Sequence, residues 1–243
     1  MLKAKDVYKS FGKLKVLKGI DLEIFEKEVI SIVGASGAGK STLLHILASL
    51  DKPDKGSVRL KGQNLFSLSS KKLAKFRNDN IGLIFQFHNL LPEFTALENV
   101  CIPGFIGKRG ESEVLKSGME LLERLGIKER FSHKPSELSG GEQHRVAVAR
   151  ALINRPKIIF ADEPSGNLDS SNARALHKLF FELRDDLGHA FVIITHNEEL
   201  ADMADRKLLE LQEQVRQLKQ TIEDLKGLKE DDNYKKAING ETQ

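Results

Sequence analysis

A single cysteine, Cys101, leaves the chain unable to form an internal disulfide and excludes the disulfide-stapled scaffolds. An excess of either charge is also missing. With 38 basic and 35 acidic residues the formal charge is only +3, so no broad field draws the chain to nucleic acid or to an anionic membrane, and any polyanion site must be local. No nucleic-acid partner is expected. Long hydrophobic runs are absent as well: stretches such as Ile81 to Phe87 and Phe191 to Thr195 fall far short of the roughly 20 residues a spanning helix needs. The opening residues, MLKAKDVYKS, lack the apolar core of a signal peptide, so the cytoplasm is the expected compartment. What remains suits one mixed domain, because 243 residues at 40% hydrophobic content can bury one core, or a core with a smaller subdomain.

Short β-rich runs alternate with helical patterns. Val29 to Val33 precedes a helix from Lys40, Lys157 to Ala161 precedes one over Asn172 to Asp186, and Phe191 to Thr195 precedes another. This alternation predicts an α/β fold with a parallel sheet covered by helices. Lys3 to Phe11 and Val16 to Ile24 alternate apolar and polar residues more loosely and read as antiparallel strands at an edge. After the apolar strand Ile81 to Phe85, strand signals vanish until about Ser136, while Glu111 to Leu125 carries apolar residues at helical spacing. That region is expected to be a helical insertion. Near the end, Leu208, Leu211, Val215, Leu218, Ile222 and Leu225 recur at spacings of three and four. A short coiled coil and a single amphipathic helix lying on its own domain both fit, and the single helix is the expectation because so few heptads rarely persist alone. From Gly227 the chain is polar and charged, a composition that does not fold by itself.

The chemistry begins at Gly34-Ala35-Ser36-Gly37-Ala38-Gly39-Lys40-Ser41, which fits G-x-x-x-x-G-K-[ST] between an apolar strand and a helical run that includes Thr42. Glycines let successive backbone amides turn inward, the helix N-terminus adds positive potential, Lys40 reaches the β- and γ-phosphates, and Ser41 holds Mg²⁺. The run is not G-x-G-x-x-G, so a dinucleotide site is not supported. Asp162 and Glu163 follow the strand Lys157 to Ala161 at its carboxyl end, the edge at which open α/β sheets bind ligands. Asp162 can support Mg²⁺ while Glu163 polarises the attacking water. His196 and Gln86 likewise end apolar strands. A neutral imidazole at position 196 could contact the γ-phosphate and orient the water.

Leu138-Ser139-Gly140-Gly141-Glu142-Gln143 admits two readings. Ser139 and Glu142 have capping-box spacing. Two glycines are nonetheless a poor first turn for stability, and they make better sense as bare amides that an anion can approach. This stretch resembles the signature sequence of the ABC transporter ATPases. With it, Gly34 to Ser41 resembles Walker A, Gln86 the Q-loop glutamine, Ile158 to Glu163 Walker B, Ser165-Gly-Asn-Leu-Asp169 the D-loop and His196 the H-switch, over roughly residues 1 to 207. Phe11 stands where that family stacks an aromatic on adenine.

The resemblance implies an ATPase that works as a head-to-tail homodimer, with ATP between the Walker A loop of one subunit and Ser139, Gly140, Gly141, Glu142, Gln143 and Asp169 of the other. It implies catalytic roles for Glu163, His196, Gln86 and Lys40, and Mg²⁺ held through Ser41, Gln86 and Asp162. It divides the chain into an ATP-binding core (1–86 and 137–207), a helical subdomain touching a membrane partner (87–136) and a C-terminal helix and tail (208–243). Within the family, Gln86-Phe-His-Asn-Leu-Leu-Pro-Glu-Phe-Thr-Ala-Leu-Glu-Asn-Val100 is most similar to the LolD group of lipoprotein-releasing ATPases. That likeness implies an integral membrane partner of the LolC/LolE type and a peripheral position on the cytoplasmic face of the inner membrane; MacB-like exporters and FtsE-like cell-division ATPases are the alternatives. A non-transport ABC ATPase fits less well, because fewer than about a hundred residues separate Lys40 from Ser139. A GTPase would need an N-K-x-D element, and none occurs.

Two departures carry expectations. Lys27 stands where the family usually has a glycine, so a side chain must take positive φ. Gln212-Glu-Gln214 replaces an Asp-Gly turn after Asp205-Arg206, which predicts loss of the terminal hairpin and a helix from about Leu211.

Overall fold

The computed structural model describes residues 1–34, 37 and 39–208. The chain opens with β1 (Leu2–Phe11) and β2 (Leu14–Ile24), an antiparallel hairpin turning at Gly12 and Lys13. Next come β3 (Val29–Ile32), α1 (Lys40–Leu47), β4 (Lys55–Leu60), β5 (Gln63–Asn64), α2 (Ser70–Asn80) and β6 (Ile81–Phe85). Two helices follow without an intervening strand, α3 (Ala96–Ile106) and α4 (Glu111–Arg124). The second half then returns to alternation: α5 (Gly140–Leu152), β7 (Ile158–Asp162), α6 (Ser170–Leu187), β8 (Ala190–Ile194), α7 (Glu198–Met203) and β9 (Arg206–Lys207).

Two sheets result. The parallel sheet has the order β6-β7-β8-β3-β9, and the antiparallel sheet has the order β2-β1-β4-β5. The parallel strands are covered on both faces, which is why they read as unbroken apolar runs instead of alternating ones. Ile30, Ile32, Ile158, Phe160, Val192 and Ile194 join one core with α1 and the inner face of the antiparallel sheet, including Leu2, Val7, Val58 and Leu60. Their neighbours Val29, Ile159, Ala161, Phe191 and Ile193 point the other way, into a second core with α5, α6 and the α3–α4 pair. The parallel sheet is therefore gripped between two cores.

The strands read from sequence fall within a residue or two of the observed ones. The β1–β2 pair extends into a separate four-stranded sheet, because β4 and β5, which carry little periodicity, complete it. Helix α3 had no clear sequence pattern because Pro103 and Gly104 interrupt it. It is held instead by a Thr95–Glu98 capping box and by Asn78 and Asn154, which both donate to the Pro103 carbonyl at 3.0 Å. Lys27 takes φ 58°, as its position demands. β9 continues the parallel sheet alongside β3, anchored by Asp205, which accepts from the Val29 amide at 2.8 Å, and by Arg206, which pairs with Glu28 at 2.6 Å. Leu208 packs partly buried on the core. The helix expected from about Leu211 and the polar tail lie outside the described residues.

Candidate functional site

The glycine-rich turn ends at Gly39, the residue preceding α1, with φ 89°. A Cβ there would meet Val16 Cγ1 at 2.7 Å, so sterics and backbone conformation both demand glycine. Among the described residues no side chain caps α1, and an uncapped helix N-terminus is where an anion is favourably placed. Lys40 is buried and donates from Nζ to the Gly34 carbonyl at 2.9 Å, lying back along the turn. Ala35, Ser36 and Ala38 lie outside the described residues.

The carboxyl ends of β3, β6, β7 and β8 meet at this turn. Ser41 Oγ donates to Asp162 Oδ1 at 3.3 Å. Glu163, immediately after β7, has φ 46°, a left-handed conformation unfavourable for a residue with a side chain. Its amide donates to the Ile194 carbonyl at 3.0 Å, which ties the strained residue to β8. The His196 amide donates to Glu163 Oε2 at 3.3 Å, and His196 Nε2 approaches Oε1 to 3.1 Å without forming an aligned hydrogen bond. Oε1 is thus a buried acceptor with no hydrogen-bond partner among the described residues, free to take a proton. Burial raises the Glu163 carboxyl above its ordinary range; His196 opposes the rise and Asp162 adds to it.

These groups line a cleft of about 650 Å³ together with Phe11, Gly37, Gly39, Thr42 and Gln86. Phe11 is 54% exposed at its rim, and the Lys9 ammonium sits 5.3 Å from the ring centroid. Asp51 and the Lys52 carbonyl hold that ammonium, each at 2.8 Å. Gln86 Nε2 donates to Asn167 Oδ1 at 3.4 Å, and Asn167 Nδ2 donates back to the Gln86 carbonyl at 3.3 Å. The donors available to a metal are hard oxygens: Ser41, Asp162 and the Gln86 amide. That set fits a small divalent cation completing its shell with water and phosphate oxygens. Among the described residues no group of three or more His, Cys, Asp or Glu gathers into a protein-only cage.

Ser139 to Gln143 and Asp169 do not line this cleft. Ser139 caps α5: its Oγ accepts from the Glu142 amide at 3.3 Å, and Glu142 Oε2 accepts from the Ser139 amide at 2.8 Å. Arg130 braces Glu142 Oε1 at 2.8 Å. The Ser139 amide and Arg130 hold the Glu142 carboxyl down at about 2. Gln143 pins the turn by donating to the Pro135 and Leu138 carbonyls at 3.0 and 3.1 Å. Asp169 caps α6 through the Ser171 and Asn172 amides, both at 3.0 Å. The capping reading and the anion reading of this turn are compatible, because the box leaves the amides of Gly140 and Gly141 without partners among the described residues.

Several contacts around the site carried no sequence signal: Asn167 against Gln86, His177 Nε2 with Ser165 Oγ at 3.0 Å, and the His88–His144 pair with centroids 4.9 Å apart. A histidine inside a helical pattern looks like any other polar residue until its neighbours are known.

The ABC transporter family matches residues 17–166. The lipoprotein-releasing system ATP-binding protein LolD of Cytophaga hutchinsonii is 60% identical over 209 residues, covering 86% of this chain and 95% of that protein. LolD of Bacteroides fragilis is 58% identical over 208 residues, covering 86% and 96%. Among solved structures, a dimeric post-hydrolysis state of the ATP-binding cassette MJ0796 bound to ADP and Pi matches with a TM-score of 0.78 at 42% identity, over 85% of this chain and 93% of that one.

Proposed function

The chain belongs to the ABC transporter family as an ATPase of the LolD type, and from that premise we propose that it drives release of lipoproteins from the inner membrane. It works as a homodimer on the cytoplasmic face, bound to an integral membrane permease of the LolC/LolE type. The observation that carries the catalytic reading is the convergence on one cleft of Lys40, at the start of α1, with Gln86, Glu163 and His196, which follow β6, β7 and β8. The exclusion of Ser139 to Gln143 from that cleft supports a site completed by a second subunit.

In this reading Phe11 stacks on the adenine, and the N-terminus of α1 with Lys40 holds the phosphates. Glu163 takes a proton from the attacking water, and its raised carboxyl makes it the stronger base. His196, within 3.1 Å of Glu163, orients the water and the γ-phosphate. Ser41, Asp162 and Gln86 are the residues that would hold Mg²⁺, which when bound neutralises phosphate charge. Ser139, Gly140 and Gly141 supply amides to the γ-phosphate bound by the partner, with Glu142 and Gln143 keeping the turn rigid and Asp169 beside it. The helical region 87–136 is the surface for the permease; the exposed Phe87, Leu91, Phe94, Phe105 and Ile106 support this.

The test is to solubilise the complex in detergent, purify it through this chain and identify the membrane protein that accompanies it. A LolC/LolE-type permease is expected. An FtsX-like protein in its place overturns lipoprotein release in favour of a cell-division role.

A further inference from the structure

Helix α5 grips the loop after Gln86 at two levels. Near its start the His144 ring packs edge-on against His88, with ring planes at 83°, and both side chains are buried, at 1% and 8% exposure. Almost two turns later, Arg150 donates from Nη2 to the His88 carbonyl at 2.5 Å and from Nη1 to the Asn89 carbonyl at 2.6 Å. His88 and Asn89 are consecutive non-glycine residues at positive φ, 61° and 50°. One such residue is uncommon and two in a row need an outside restraint. A guanidinium offers two donors in a fixed fork, which matches a pair of carbonyls turned the same way. No carboxylate pairs with Arg150 among the described residues, and burial works against its charge. The side chain therefore meets a cost that these two carbonyls offset.

We propose that Arg150 is a positioning residue acting through Gln86: by fixing the His88 and Asn89 carbonyls it sets where the Gln86 amide stands at the phosphate end of the cleft. This rests on the reading of Gln86 as a residue that meets the γ-phosphate and its metal.

A double-mutant cycle in the full chain tests it, with Arg150→Gln, Gln86→Ala and their combination assayed for ATPase kcat, KM and melting temperature. Arg150→Gln is expected to lower kcat about tenfold with KM for ATP within about twofold, the signature of a misplaced group and not of lost binding. Combined with Gln86→Ala it should lower kcat no further than Gln86→Ala alone. Arg150→Lys, which reaches one carbonyl instead of two, should recover part of the rate and serves if Arg150→Gln does not fold. Losses that multiply in the double variant overturn the proposal, because Arg150 would then act independently of Gln86. A Gln86→Ala variant with unchanged kcat overturns the underlying reading of Gln86, an outcome that this variant alone reports.

Discussion

Two glycine-rich turns in this chain each open a helix, and they are built in opposite ways. The turn before α1 ends at Gly39 in a left-handed conformation with no side-chain cap among the described residues, and it faces a cleft. The turn before α5 is closed by the Ser139–Glu142 box, braced by Arg130 and pinned by Gln143. The first lines a cleft within its own subunit. The second spends side chains on rigidity and presents a preformed surface outward. A turn that must fold around phosphate gains from open amides, whereas one that must dock onto phosphate already held by a partner gains from preorganisation.

The contrast is open to test. The largest effect is expected from Glu163→Gln, which leaves the first turn intact but removes the proposed base. ATPase activity should fall by roughly 10²- to 10⁴-fold, and gel filtration with ATP should resolve a trapped dimer; hydrolysis at the unaltered rate would show that the base lies elsewhere. The next test separates the two turns directly. Lys40→Ala and Ser139→Arg should each be inactive, and mixing them should restore activity, because a mixed dimer has one site with neither change. A mixture that stays silent would mean that both turns serve one site within a single chain. Smaller still, Phe11→Ala should raise KM for ATP several-fold with little change in kcat, since stacking on a base contributes about 1–3 kcal/mol and belongs to binding alone. An equal fall in kcat would give Phe11 a part in the chemistry.

The mildest test probes the rigidity of the second turn. Burial lowers the His144 imidazole to about 3, against roughly 6.5 in an unfolded chain. The folded state therefore binds fewer protons between those values. The contribution to stability is complete above pH 6.5 and is lost as pH falls toward 3, by at most about 1.4 kcal/mol per pH unit. Urea unfolding at pH 7 and pH 5 should show this slope, and His144→Gln should flatten it. An unchanged slope would assign the acid sensitivity to other groups such as His88, whose imidazole burial also lowers.

Strands β3, β6, β7 and β8 were legible because each is a short apolar run buried on both faces, and the residues at their carboxyl ends could be named from position alone. Even the positive φ of Lys27 was foreseeable, since one missing glycine in a tight turn leaves few alternatives. β4, β5 and α3 were hidden. The two strands have their partners in sheet pairing, and α3 draws its hold from Asn78 and Asn154, far away in the chain.

Local chemistry thus settled the reaction class: a lysine and serine after a glycine-rich turn, and an acidic pair after an apolar strand, carry their meaning in adjacent residues. The assembly of the site rested on contacts across long stretches of chain. Gln86 meets Asn167 over 81 residues, Ser41 meets Asp162 over 121, and Arg150 holds His88 over 62. Periodicity reports only which face a residue occupies within its own element. Which two faces meet is decided by packing the two cores, where burial of apolar surface dominates and the polar groups must find whatever partners that packing brings them.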